Sequence, residues 1–235
     1  MSKSKSKFWH TVKRIILWSI ALFFGLSIFF TVLYRWVNPP VTPLMIIRLF
    51  DQYGEDKPLM LKKKWVALED IAPSMVQAVV ASEDNLFLQH NGFDWNAIDK
   101  AHTRNKSGKK RIHGGSTITQ QTAKNVFLYP RRSYIRKGLE AYFTLLIELF
   151  WSKERIMEVY LNVIEMGNGI YGVEQAAQTY YHCSAKRLTK QQSAMIAAIL
   201  PAPRRRNPAR PSAYMFKRQA TILTLMNKIG SVKFE

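Results

Sequence analysis

Hydrophobic and polar positions divide this chain into one long apolar run followed by a train of amphipathic segments. Ile15 to Tyr34 carries no charge, and about 20 such residues cross a bilayer as a helix. From Asp70 onward, apolar side chains recur at helical rather than alternating spacing. Pro73-Ser74 marks a helix start, with Met75, Val76, Val79 and Val80 on its apolar side. Phe93 to His102 reads as a short helix, and Ser107-Gly108 lies in a basic, turn-prone loop running to Gly115. Ser116 or Thr117 caps a helix to about Val126. Ser133 caps a longer one to about Trp151, with Ile135, Leu139, Tyr142, Phe143, Leu146, Ile147 and Phe150 on one side. Ser152 to Asn162, Gly172 to Tyr181, Thr189 to Leu200 and Tyr214 to Ile229 complete the set. Met166 to Gly169 is a loop, Pro201 and Pro203 end one helix, and Gly230 stops the last. The pattern predicts a mainly α-helical domain over 65–235. Leu44 to Phe50 is apolar but too short to span, and reads equally as a buried strand or as an interfacial segment.

The flanks of the apolar run say how it is used. Lys3, Lys5, Lys7, Lys13 and Arg14 precede it, Trp18 lies near one end, and Tyr34 and Trp36 lie at the other. Basic flanks stay cytoplasmic and aromatic residues settle at the interfaces. No small-residue cleavage site follows, so the run is expected to remain as an anchor. The expected layout is a cytoplasmic tail over 1–14, a transmembrane anchor over 15–36, a linker and membrane-proximal segment over 37–64, and the folded domain outside. Asn38-Pro39-Pro40 and Pro43 make a stiff exit from the membrane.

Charge narrows the partners. The 235 residues carry a formal net charge of +19, which calls for an anionic partner. An extracytoplasmic domain excludes nucleic acid and leaves lipid headgroups or a lipid-linked phosphate. The charge is unevenly spread. No acid lies between Asp99 and Glu140, while Lys100, Arg104, Lys106, Lys109, Lys110, Arg111, Lys124, Arg131, Arg132, Arg136 and Lys137 do. Lys106 to Arg111 reads equally as a solvated, lipid-attracted surface. Lys124, Arg132, Arg136 and Lys137 sit among apolar residues in helical segments and are the candidates for specific phosphate contacts. One cysteine, Cys183, excludes an intrachain disulfide.

Two carboxylates stand out. Glu83-Asp84 ends a helical segment, where negative charge opposes the helix dipole. A carboxylate kept there is a candidate general base or acid. Glu140 follows Arg136 and Lys137 by one turn, the spacing of an ordinary helical salt bridge. It is equally placed to orient those cations around an anion, or to hold a divalent cation, Mg2+ or Mn2+, against a pyrophosphate. His90 alone is more often structural than catalytic. No G-x-S-x-G element and no His and Cys metal-ligand spacing is present.

Four motifs in order resemble the glycosyltransferase family 51 domain, the peptidoglycan glycosyltransferases. They are Glu83-Asp84-x-x-Phe87-x-x-His90-x-Gly92; Gly114-Gly115-Ser116-Thr117-Ile118-Thr119-Gln120-Gln121 with Lys124-Asn125; Arg136-Lys137-x-x-Glu140; and Lys153-x-x-Ile156-x-x-Val159-Tyr160-x-Asn162. The resemblance covers nearly everything after Trp65, and the chain is expected to be the short, monofunctional biosynthetic form. It implies a lysozyme-like helical fold with a membrane-apposed lobe. It also implies polymerisation of lipid II into β-1,4-linked glycan with inversion, releasing undecaprenyl pyrophosphate, beside cell-wall synthesis or division proteins. Glu83 and Glu140 would be the catalytic pair, with Glu83 deprotonating the acceptor 4-hydroxyl. Phe87 and His90 would shape the acceptor side, with Asp84 in support. Thr117, Gln120, Gln121 and Asn125 would line the cleft, and Lys124, Arg132, Arg136 and Lys137 would hold the pyrophosphate. A fifth family motif appears only as Arg218-Gln219-Ala220-Thr221-Ile222-Leu223, which weakens any role for that helix. The competing readings are a lytic transglycosylase or muramidase, which needs neither anchor nor cationic site, and a scaffold that binds anionic lipid without chemistry.

Overall fold

The computed structural model describes residues 2–55, 58–96, 99, 115–131 and 133–234. Lys106 to Arg111, Arg132 and half of the expected Phe93–His102 helix lie outside the described residues. The chain divides into two compact units, Met1–Asn38 and Pro39–Glu235.

The first unit is helix α1, Ser2–Leu33. Within it, Phe8–Leu33 is long and apolar enough to cross a membrane. Two of its hydroxyls bond back to the helix: Ser27 Oγ donates to Phe24 O at 2.9 Å and Thr31 Oγ1 to Ser27 O at 2.7 Å. Such back-bonding removes the need for water at these positions.

The second unit is mainly helical, as the periodicity predicts. It opens with α2, Pro43–Gly54, capped by Thr42 with proline in the first turn. This corrects the strand alternative for Leu44 to Phe50. The deciding signal is Thr42-Pro43, a cap followed by a residue preset for the first helical position. One side of α2 buries Leu44 and Met45, while Ile46 and Phe50 are exposed. Next come α3 (Pro73–Glu83), α4 (Ile118–Phe127), α5 (Tyr134–Phe150), α6 (Lys153–Val163), α7 (Val173–Tyr181), α8 (Lys190–Ile199) and α9 (Ala213–Ile229). Every expected helix start from Thr117 onward falls within about one residue of the observed one.

Helices α3, α8 and α9 share a core of Ala78, Ala81, Ala194, Ala197, Ala198, Ile222 and Met226. The alanines let these helices approach closely, and Ser74 Oγ meets Ser193 Oγ at 2.9 Å across the seam. Gln77 Nε2 donates to Met226 O at 2.8 Å and Gly230 O at 2.6 Å, satisfying the end of α9. Helix α6 is buried nearly all round, through Ile156, Met157, Val159, Tyr160, Leu161 and Val163, as befits a central helix. Helix α4 packs on both α5 and α6.

One feature escapes the periodicity. The expected loop at Met166 to Gly169 is half strand: β2 (Glu165–Gly167) runs antiparallel to β3 (Ile170–Tyr171) across a turn at Asn168-Gly169, and β1 (Lys62–Lys63) joins β3 in parallel. Strands of two or three residues are too short to show alternation. At Gly169, φ is +67° and an added Cβ would stand 2.3 Å from Met60 O, so only glycine fits.

Asn162 fastens the segment before α3 to the central helix. Its Oδ1 accepts from Val66 N at 2.9 Å; its Nδ2 donates to Val66 O at 2.9 Å and Glu158 O at 2.8 Å. The side chain is fully buried. Asn162→Ala strands these groups and is expected to destabilise the domain by about 2–4 kcal/mol, lowering the thermal midpoint by roughly 5–12 °C. An unchanged midpoint in calorimetry would contradict that role.

Candidate functional site

Glu83 is the last residue of α3 and is mostly buried, its side chain 13% exposed. Gln121 of α4 donates from Nε2 to Glu83 Oε2 at 3.1 Å, and Gln121 Oε1 accepts from the buried Tyr160 hydroxyl at 3.4 Å. Arg218 of α9 stands 3.8 Å from Glu83 Oε1, beyond hydrogen-bonding reach. Burial raises the Glu83 pKa above its ordinary value. The Gln121 hydrogen bond, Arg218 and Lys124 oppose that rise, and Asp84 adds to it. A carboxylate held this way takes up a proton more readily than one in water.

Asp84 faces away from this work. It is buried and ties three pieces of chain together: His90 Nε2 lies 2.9 Å from Oδ1, and Ile118 N donates to Oδ2 at 3.0 Å. Ile118 opens α4, so Asp84 places negative charge at a helix N-terminus. Gly92 N donates to His90 Nδ1 at 3.1 Å, which assigns the ring proton to Nε2, facing Asp84. His90 is therefore a brace for the turn after Glu83.

Lys153 secures the same turn from α6. Its Nζ donates to His90 O at 2.6 Å and Glu148 Oε1 at 2.8 Å, and lies 4.8 Å from the centre of the Phe87 ring. Thr119 Oγ1 also donates to Glu148 Oε1, at 2.6 Å. Gly92, with φ +84°, fits here because an added Cβ would stand 2.6 Å from Thr144 Cγ2. Phe87 is fully buried beneath this network and acts as core. Thr117 and Gln120 satisfy each other in a capping box at the start of α4, and Thr117 Oγ1 donates to Gly92 O at 2.7 Å. Both side chains are buried, so their contacts position α4.

Beyond Gln121, α4 turns Lys124 and Asn125 into a cavity of about 510 Å3. Its wall also includes Ser116, Tyr129, Arg136, Lys137 and Glu140, with Arg48 and Glu165 on the far side. Glu140 is 3% exposed. Arg136 Nη1 donates to its Oε2 at 2.6 Å, and Lys137 Nζ donates to its Oε1. Both helical salt bridges thus form, and their effect is to aim two cations along one wall. Lys124 is mostly buried, and burial, its largest influence, lowers its pKa. Glu140 pulls it back up, Arg136 and Lys137 push it down, and Glu83 raises it. An arriving anion would raise it and favour the charged form.

Glu140 offers little to a metal ion, because a cation already holds each carboxylate oxygen. Among the described residues, no three His, Cys, Asp or Glu side chains gather as a metal site. No chemical step is therefore assigned to a metal ion here.

The structure brings Glu83, Gln121, Lys124, Asn125, Arg136, Lys137 and Glu140 to one region. It gives Asp84, Phe87, His90, Thr117 and Gln120 supporting positions, and Arg132 lies outside the described residues. Sequence reasoning misses two residues. Lys153 is visible only as a letter in the fourth motif. Arg218 belongs to the helix whose role the incomplete fifth motif weakens; its place beside Glu83 corrects that expectation, because the arginine alone makes the contact.

A family model described as Transglycosylase matches residues 54–227. The chain belongs to the transglycosylase family. Among the relatives of this transglycosylase chain is a biosynthetic peptidoglycan transglycosylase of Bdellovibrio bacteriovorus, 54% identical over 92% of this chain and 86% of the relative. Proteins of the same description from Bacteroides thetaiotaomicron and Caulobacter vibrioides are 52% and 53% identical, over 93% and 81% of this chain and 89% and 80% of theirs.

The Glu83 environment has a kinetic signature. Its carboxylate form is lost as pH falls through a value above the ordinary 4.5. The acid limb of kcat/KM should therefore lie above that value. Gln121→Ala removes a donor that favours the carboxylate, so the limb should move to higher pH. A limb that stays in place, or moves down, would contradict the assignment.

Proposed function

We propose that the chain polymerises lipid II, with Glu83 as the general base and the Lys124, Arg136 and Lys137 wall as the pyrophosphate site. The observation that carries this reading is the pairing of one buried, proton-seeking carboxylate with a cationic cavity reached through a shared residue, Gln121. An elevated carboxyl pKa alone would equally suit the acid of a glycan-cleaving enzyme. Such an enzyme has no pyrophosphate to hold and no use for three clustered cations.

The chemistry follows from these positions. Glu83 takes the proton of the acceptor sugar's 4-hydroxyl as that oxygen attacks the anomeric carbon of the lipid-linked strand. The bond from that carbon to the pyrophosphate oxygen breaks, and its electron pair leaves on the pyrophosphate. Attack opposite the leaving group converts the α linkage to β. The leaving group needs no proton, because Lys124, Arg136 and Lys137 stabilise the developing charge. Glu140 keeps Arg136 and Lys137 aimed without cancelling all of their charge.

The anchor suits a lipid-borne substrate. In this reading the basic N-terminus stays cytoplasmic, Phe8–Leu33 spans the membrane, and the catalytic unit works on the outer side. The exposed apolar residues of α2, Ile46 and Phe50, belong to a lobe lying against the bilayer.

With purified full-length protein, lipid II and divalent metal, the parent should make polymer. Glu83→Gln should lower kcat/KM by at least about 100-fold, and Lys124→Ala by about 10- to 1,000-fold. Parent-like polymerisation by Glu83→Gln would remove the base assignment. Degradation of preformed glycan by the parent would favour the lytic reading instead.

A further inference from the structure

The cationic cavity continues past Arg48, Glu165, Pro201 and Pro203 into a second cavity of about 600 Å3, whose wall adds Asn168, Ala202, Arg204 and Arg205. This second space contains none of the residues assigned to the base or the pyrophosphate. Its floor is unusual. Glu165, in β2, is 8% exposed. Arg48 of α2 approaches it loosely, with Nη2 3.5 Å from Oε2 and Nε 3.4 Å from Oε1. A tight arginine–carboxylate pair closes to about 2.7–2.9 Å. Consequently Arg48 Nε and Glu165 Oε1 are buried without a hydrogen bond, and so is the hydroxyl of Tyr171, whose backbone pairs with Glu165 across the sheet. Buried polar atoms without partners concentrate where a structure is built for something beyond its own packing.

We propose that this second cavity is a subsite for a singly charged anion, a carboxylate of the peptide carried by the substrate. The proposal rests on the lipid II reading. Charge decides the ligand class. Around the first cavity, Lys124, Arg136 and Lys137 stand against Glu140, leaving two positive charges in excess, as a pyrophosphate requires. Around the second, Arg48, Arg204 and Arg205 stand against Glu165 and against Asp51, which Arg48 Nη1 holds at 3.0 Å. One positive charge remains, which matches a carboxylate and penalises a dianion. The remaining charge is also available. Arg204 and Arg205 are exposed, and their guanidinium groups make no hydrogen bond to protein among the described residues. Arg206, by contrast, is tied to Ala198 O at 2.8 Å and stacked on Tyr214. Glu165 supports the arrangement electrostatically. Burial raises its pKa first, and Arg48 and Arg204 pull it back, so the floor keeps the arginines close together.

The substrate, rather than the membrane, is the natural source of this carboxylate. The two cavities share four wall residues, so one ligand seated on the pyrophosphate cations reaches both. The test compares lipid II bearing free peptide carboxylates with lipid II whose carboxylates are amidated, in neutral-lipid vesicles. The parent should show a KM about five- to tenfold lower for the free form, with kcat within about twofold. The double variant Arg204→Ala/Arg205→Ala should lose that preference while polymerising the amidated substrate at the parent rate. Equal KM values for the two substrates on the parent would overturn the subsite. So would a preference untouched by the double variant, or a KM for the amidated substrate that responds to Arg204 and Arg205 only when anionic lipid is added. Failure of the parent to polymerise either substrate would instead overturn the underlying lipid II reading.

Discussion

Two buried carboxylates meet their cations differently, and the site is organised by that difference. Glu140 has both oxygens engaged, one by Arg136 and one by Lys137. Among the described residues, Glu83 has a single neutral donor, Gln121, and an arginine held off at 3.8 Å. Burying a charge without close compensation is costly and pushes a carboxyl toward its protonated form. Glu140 has been given that compensation by two cations. Glu83 has been denied most of it and keeps an affinity for protons. In the proposed reaction, two residues of one type thus divide into an orienter and a base.

The surrounding fold supplies the separation. Glu83 hangs from the end of α3, where the dipole gives no help, while Glu140 lies in the second turn of α5 with its partners on the same helix. Helix α4 lies between, carrying Gln121 to one carboxylate and Lys124 into the field of both. Its position is therefore decisive, and it is pinned three times: by Asp84 at Ile118 N, by Thr117 at Gly92 O, and by Thr119 at Glu148. Lys153 and His90 close the same network from α6 and the turn after Glu83. Much of what the motifs contain takes part in this scaffolding.

Helical spacing and caps make most of the second unit legible in the amino-acid sequence. Thr117, Ser133, Ser152, Thr189 and Gly230 each mark a boundary by a local mechanism. The small sheet is illegible because its strands are too short for alternation and depend on Gly169 lying against Met60. Glu83, Lys124, Arg136, Lys137 and Glu140 are legible from charge placement together with the motif resemblance. The supporting roles of Phe87, His90, Thr117 and Gln120 are not, since a motif letter does not say whether a side chain points into a cleft or into a hydrogen-bond network. Arg218 is hidden for a related reason: its neighbours depart from the expected motif, but a contact needs only one side chain. The Arg48–Glu165 pair joins residues 117 positions apart, and no local pattern announces it.

The proposed reaction depends on the proton affinity of Glu83. The direct measurement is the titration of its carboxyl carbon, followed by NMR in glutamate-labelled protein and assigned by difference against Glu83→Gln. Burial of Glu83 should place the midpoint above 4.5, the ordinary glutamate value. A midpoint at or below 4.5 would mean that Arg218 and Lys124 outweigh burial, leaving no poised base in the site.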